Sequence, residues 1–253
     1  MNIKNLLESI GFNNFIALDL ETTGLDKNKD EIIEISALRF IDGELSDEFT
    51  TLVKPKRSIP KKITNITGIN DSLVSDAPII DEVLDNFISF IDDSIIVAHN
   101  AEFDIGFIEE CVKKYSKKSN IKSVCDTLLL SRSFLFFLDK FNLEYLSNIF
   151  ELEHKNAHRA RSDALNTGKI FLQLIQQIVS MPIEVINDVK KISSRKDIYN
   201  SLLYANIDQM LKNAPSNKFL PIMSIELKDN VLIYKNGSDD DFSEDINHWF
   251  DKG

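Results

Sequence analysis

The order of apolar runs predicts an α/β protein: a mixed sheet flanked by helices, with a smaller C-terminal α+β appendage. Three observations lead there. Strand-like runs come first, at 15–20 (FIALDL), 32–40 (IIEISALRF) and 47–53, with Asp42-Gly43 as a turn between the last two. Strand-like and helix-like segments then alternate from residue 78 to about 179. After Pro182 the pattern changes to one or two helices over 183–213 and a hairpin over 222–235, turning at Asp229-Asn230. The expected organisation is one domain over 1–181 and an accessory segment over 182–253.

Each element has a local reason. The stretch KPKRSIPKKITNITGIN is rich in Pro, Lys and turn formers and reads as a surface loop. Pro78 precedes a helix to about Ile91, with Val83, Leu84, Phe87, Ile88 and Ile91 at helical spacing. SIIVAHN is a short apolar strand, Phe103 to about Tyr115 a helix, KSVCDT a strand end, and Leu128–Phe137 and Leu143–Phe150 two further helices. Ser162 or Asp163 opens a long helix to about Val179. The aromatic run FLFFLDKF reads as helical core packing.

Composition narrows the class. The chain has 253 residues, 43% hydrophobic and 27% charged, ordinary values for a globular protein. No apolar run approaches the roughly 20 residues of a membrane span, and MNIKNLLESIGF lacks the apolar core of a signal peptide. Two isolated cysteines, Cys111 and Cys125, give neither a disulfide framework nor a zinc cluster, so the expected setting is a reducing cytoplasm. No GxxxxGK[ST] phosphate loop occurs. The net charge of −11 is unfavourable for nucleic acid, but much acid lies in the tail GSDDDFSEDINHWFDKG. Cations gather at Lys54, Lys56, Arg57, Lys61 and Lys62, and again at Lys113, Lys114, Lys117, Lys118 and Lys122. Both groups read as solvated surface or as phosphate contacts.

The carboxylates carry the chemistry. Asp19 and Glu21 are two apart at the end of the first strand and therefore share a face. Side by side they repel unless a cation lies between them, which leaves a metal site or a solvated strand end. Asp104 follows the strand SIIVA in HNAEFD. Asp163 follows His158 by five residues in HRARSD. Each alone reads as a helix-start acid or a loop histidine. Together, four acids and one histidine at the ends of elements around one sheet form the inventory for metal-assisted phosphodiester hydrolysis. Hard divalent cations take carboxylate oxygens, and histidine can accept a proton near neutral pH.

The three motifs, DLETTG at 19–24, HNAEFD at 99–104 and HRARSD at 158–163, with the ITGI stretch between the first two, resemble the DEDDh-type 3′–5′ exonucleases. That family includes the proofreading epsilon subunit and the exonuclease domain of bacterial replicative polymerases. The likeness covers about residues 12–180. It implies a ribonuclease-H-like fold, two Mg²⁺ or Mn²⁺ ions held by Asp19, Glu21, Asp104 and Asp163, and His158 as general base. It implies a pocket for the 3′-terminal nucleotide lined by Thr22, Thr23, Gly24, Leu25, Asn100 and Phe103. The substrate implied is a single-stranded or frayed 3′ end of DNA, with RNA left open, beside a polymerase or helicase partner and no membrane. A scaffold module that had lost the chemistry would lack one of the five catalytic residues, and none is missing. Arg161 stands where relatives often carry an apolar residue. It reads as a phosphate contact or a solvated side chain. Asp126 reads as a turn or helix-start acid, His99 as a hydrogen-bonded structural residue, and His154 and His248 as surface residues.

Overall fold

The computed structural model describes residues 2–153, 158–193, 199–213, 222–228 and 231–236. Three antiparallel strands form a meander: β1 (Asn14–Thr22), β2 (Ile32–Ile41) and β3 (Glu44–Leu52). Asp42 and Gly43 both take positive φ (55° and 91°), the two-residue turn that matches strand twist and joins Ile41 to Glu44. β4 (Ile95–Ala98) lies parallel to β1, and β5 (Ser123–Asp126) parallel to β4, giving the order β3-β2-β1-β4-β5. This is the mixed sheet that the sequence predicts. A separate antiparallel hairpin, β6 (Ile222–Lys228) and β7 (Val231–Asn236), follows.

β1 is central and is covered on both faces. Phe15 and Ala17 enter one core with Leu38 and Phe40 of β2. Ile16, Leu18 and Leu20 enter the other with Ile35 and Ala37. The second core is closed by α3 (Ile80–Ile91) and α4 (Ala101–Lys114). The first is closed by α5 (Thr127–Phe134), α6 (Leu143–Ile149) and the long α7 (Ala160–Ser180). α7 approaches the sheet closely at Gly168, where a side chain would overlap the Phe40 ring and meet Ala17.

Several elements depart from the sequence reading. α1 (Ile3–Ser9) was not expected. α2 (Lys61–Thr67) forms inside the expected loop, between Pro60 and a left-handed Gly68. α5 stops at Phe134 rather than Phe137. Leu135 caps it, and Phe136 is 74% exposed instead of packed in a helix. The change of pattern at Pro182 does not end the packed core. α8 (Ile183–Ser193) and α9 (Ser201–Asn213) place Ile186, Leu203, Tyr204 and Ile207 among Leu6, Leu7 and Ile10 of the N-terminal helix region. Asn200 ties this segment to the edge of β5. Its N–H donates to the Val124 carbonyl (3.0 Å) and its Oδ1 accepts from the Asp126 N–H (2.9 Å). No single helix among the described residues is long and apolar enough to cross a membrane. The turn at Asp229-Asn230, the tail from 237 on, His154 and His248 lie outside the described residues.

Candidate active site

Strand parity sets the first two acids. Asp19 and Glu21 continue the Phe15–Ala17 face of β1, the face on which α7 lies. Asp163, in the first turn of α7, arrives on that side. Carboxylate oxygens of Asp19, Glu21 and Asp163 all lie within 4.8 Å of one another. Asp104 comes from the opposite layer. β4 ends at Ala98, two residues before the left-handed Asn100, and α4 begins there. Its Asp104 reaches past the strand end to accept the Leu20 N–H through Oδ1 at 3.0 Å. Asp104 thus stands beside the trio, with one oxygen already bonded.

The charges conflict. Burial, then Asp104, Asp163 and Glu21, push the Asp19 carboxyl well above its usual range. Burial, Asp163 and Glu34 push Glu21 up to about 8, with the Arg159 guanidinium pulling the other way. Burial also raises Asp104 well above its usual range, against the bond from Leu20. Acids so placed cannot all ionise near neutral pH without a cation among them. An all-oxygen donor set fits Mg²⁺ or Mn²⁺, so the residues present suit the implied ions.

His158 lies at the mouth of this site, exposed, with its backbone left-handed at φ 63°. Its N–H donates to Asp163 Oδ2 at 3.1 Å, which joins the histidine loop to the acid trio. The next residue anchors that loop. Arg159 donates to both oxygens of the buried Glu34 on β2, and the Ala160 N–H donates to Glu34 Oε2 at 2.9 Å. Glu34 thereby caps α7, whose own N-cap side chain makes no such bond. Arg161 pairs with Glu48 at 2.7 Å on the edge strand.

The six expected pocket residues divide into two sets. Leu25, 86% exposed, lines one open groove with Asn100 and Phe103. Thr22, Thr23 and Gly24 instead hold the loop that presents Leu25. The Thr22 hydroxyl donates to the Gly24 carbonyl at 2.6 Å, and Thr23 Oγ1 accepts from the Glu31 N–H and donates to Asp30. Asp30 also accepts the Asp26 N–H and fills the space beside Gly24, which any side chain there would invade.

Asp126 anchors the other wall. Its carboxylate accepts N–H groups from Asn100, Ala101, Leu128 and Leu129, so one side chain serves the starts of α4 and α5. His99 bonds Thr127 Oγ1 at 2.9 Å, and burial lowers it to about 4, which keeps the ring neutral. Sequence reasoning missed Glu34, Arg159 and Asp30. Only Glu34 leaves a trace, as a lone acid inside the apolar run IIEIS.

A model of the exonuclease family, RNase_T, matches residues 16–171. Among curated proteins, the chain is 37% identical over 184 residues to a DNA polymerase III PolC-type from Caldanaerobacter subterraneus subsp. tengcongensis, covering 73% of this chain and 13% of the relative. It is 38% identical over 197 residues to a protein of the same description from Thermotoga maritima, covering 77% and 14%. The chain therefore spans only a small part of these relatives' length. Similar solved structures include exonuclease X in complex with 5′ overhanging duplex DNA (24% identity, 69% of this chain and 98% of that one, TM-score 0.52). Another is E. coli exonuclease I in complex with a dT13 oligonucleotide (18% identity, 72% and 44%, TM-score 0.59). With a family model over more than half its length and all three motifs in order, the chain belongs to the exonuclease family, in its DEDDh-type 3′–5′ branch.

Proposed function

We propose that the chain is a metal-dependent 3′–5′ exonuclease that hydrolyses phosphodiester bonds at the 3′ end of DNA and releases nucleoside 5′-monophosphates. The observation that carries this is the convergence of Asp19, Glu21 and Asp163 within 4.8 Å, with Asp104 and the His158 loop adjoining them. Asp19, Glu21, Asp104 and Asp163 would hold two Mg²⁺ or Mn²⁺ ions, which in such sites stabilise the attacking and leaving oxygens of an in-line displacement. His158, in the solvent-facing loop bonded to Asp163, takes the proton of the attacking water. Leu25, Asn100 and Phe103 hold the terminal nucleotide in their shared groove, and Thr22, Thr23 and Gly24 keep the Leu25 loop in place.

Likeness to polymerase chains supports a role in proofreading beside a DNA polymerase. We place that role in the cytoplasm, where Cys111 and Cys125 stay free thiols. RNA is the alternative substrate that the following digestion separates from DNA. The experiment is digestion of a 5′-labelled single-stranded oligonucleotide, a duplex with a mismatched 3′ end, and RNA, with Mg²⁺ or EDTA. Stepwise shortening from the 3′ end, abolished by EDTA and by Asp19→Asn, is expected. His158→Asn should bind Mn²⁺ as the parent does and turn over slower by a factor on the order of 10² or more. Activity that survives both EDTA and Asp19→Asn would overturn the reading.

A further inference from the structure

A cavity of about 340 Å³ lies beside the Leu25 groove, between the 24–31 loop, the segment 53–57 and the C-terminal half of α4. Its size falls within the range of about 300–1,000 Å³ usual for small-molecule sites. None of Asp19, Glu21, Asp104, His158 and Asp163 lines it, so it is not part of the metal site. With the groove of Leu25, Asn100 and Phe103 it shares only Lys27 and Phe107. Part of its lining is apolar. Ile32, Val53 and Phe107 are buried there, and the Tyr115 ring is half-buried.

The charged part of the lining is positive, in a chain of net charge −11. Lys27, Lys29, Lys54, Lys56, Arg57 and Lys114 stand there against three acids, Asp30, Glu31 and Glu110. Lys29 is paired with Asp26, and Lys54 donates to the Ser75 carbonyl. Asp30 accepts from Thr23 and Asp26, Glu31 accepts the Lys56 N–H, and Glu110 faces Lys113 at 3.7 Å. Among the described residues, Lys27, Lys56, Arg57 and Lys114 form no ion pair, and all four are exposed. Lys27 lies across Gly106 of α4, its Nζ 3.1 Å from where a Cβ would stand, and Lys114 stands over the Tyr115 ring at 5.8 Å. Cations gathered from three segments of the chain repel one another unless an anion lies among them. One guanidinium with three ammonium groups suits phosphate oxygens, the first as a fork and the others as point charges. A bare phosphate would leave the apolar lining unused. A phosphate carried by a nucleoside uses both, with its base against the aromatic rings.

We infer that this cavity is a second binding site, for a nucleoside 5′-phosphate, with the phosphates among Lys27, Lys56, Arg57 and Lys114 and the base against Phe107 and Tyr115. A nucleoside monophosphate released by the proposed hydrolysis and a triphosphate precursor share this chemistry. Through Lys27 and Phe107 the occupant borders the groove for the 3′-terminal nucleotide without holding any part of the strand. The site goes beyond the exonuclease reading and does not depend on it.

The test is calorimetric titration with dTMP, dTTP, tripolyphosphate and thymidine in EDTA, where binding is read without turnover. Lys56→Gln/Arg57→Gln removes two cations from the 53–57 segment, and Lys114→Gln removes one from α4, so an unstable first variant leaves the second. Lys61→Gln/Lys62→Gln removes the same two charges from exposed α2 positions outside the cavity. One equivalent of dTMP or dTTP should bind, tripolyphosphate several-fold more weakly than dTTP, and thymidine not measurably. Affinity should fall about tenfold or more in the double cavity variant and about threefold or more in Lys114→Gln, through lost charge-assisted contacts. The α2 variant and Leu25→Ala should bind as the parent does. Tighter dTMP would make the ligand the reaction's product, and tighter dTTP the precursor. No binding of either nucleotide, unchanged affinity in both cavity variants, or an equal loss in the α2 variant would each overturn the site. Tripolyphosphate binding as tightly as dTTP would overturn its nucleoside part, and a loss confined to Leu25→Ala would put the ligand in the terminal groove instead. Nucleotide bound in the cavity of a chain that shortens no oligonucleotide would sink the exonuclease reading alone.

Discussion

Glu34 and Arg159, 125 residues apart in sequence, are joined by bonds of 2.6 and 3.1 Å directly behind His158. Glu34 is 2% exposed and sits opposite Glu21 in the β1–β2 register, so it is itself a carboxylate bordering the metal acids. Its charge is balanced by Arg159, and its second role is to cap α7. Glu34 is buried but the Arg159 side chain is 40% exposed, so water replaces part of what Arg159→Ala removes, and the expected loss in denaturant unfolding is about 1–2 kcal/mol. Glu34→Gln keeps the shape and the cap but loosens the guanidinium. It should lower kcat more than it raises KM, with Mn²⁺ affinity retained. A proportional change in both constants would mean that the pair supports the fold alone.

The acid cluster makes the metal-free protein sensitive to pH in an unusual direction. Unfolded, Glu21 titrates near 4.5; folded, near 8. Asp19 and Asp104 are raised in the same sense. Between those values the folded state binds more protons than the unfolded one, so stability is greatest at the acid end and falls as pH rises towards 8. In EDTA, Tm should drop by more than about 5 °C from pH 5 to pH 8, since 1 kcal/mol moves Tm about 2–4 °C at this size. Added Mn²⁺ should restore it. Glu21→Gln should flatten the decline. A Tm in EDTA that climbs over this range would contradict the electrostatics.

Asp126 offers a test of the groove wall from a residue outside the acid trio, though its charge also raises Asp104. It bonds four backbone N–H groups, two of them at Asn100 and Ala101. Hydrogen bonds to a charged group contribute about 1.5–3 kcal/mol each at most, so Asp126→Ala should destabilise by about 3 kcal/mol or more. In Asp126→Asn, which keeps part of the cap, KM should rise more than kcat falls, because Asn100 and Phe103 would sit less firmly. Steady-state kinetics beside thermal unfolding separate the two effects.

Leu25 projects from a loop that Thr22, Thr23 and Asp30 hold by inward bonds. Its own burial is negligible, so Leu25→Ala should leave Tm within about 1 °C. If Leu25 packs against the terminal base, KM for single-stranded DNA should rise several-fold. An unaltered KM would remove Leu25 from the binding groove.

Much of this molecule can be read from its sequence, for reasons visible in particular residues. Alternation in FIALDLET places Asp19 and Glu21 on one face, because strand parity is fixed by covalent geometry. The long α7 announces itself by periodicity and by Pro182. Seven-residue helices do not: α1 has Asn2 as a cap and little more than one apolar pair, and α2 is hidden by lysines, although Pro60 and Gly68 bracket it. Asp104 is recognisable only through its motif, since its partner, the Leu20 N–H, is 84 residues away. Glu34 looks like an interruption in an apolar strand until Arg159 is seen beside it. The docking of α8 and α9 depends on tertiary contacts that composition does not encode.

The left-handed backbone at His158 narrows which amino acids can occupy that position. A branched Val or Ile would be disfavoured by sterics alone, whatever its chemistry, whereas glycine and asparagine tolerate the conformation. On the function proposed above, the position is thus constrained twice, by the proton transfer assigned to His158 and by chain path. Among laboratory replacements, asparagine erases the imidazole while leaving the main chain content, whereas alanine confounds lost chemistry with a relaxed loop.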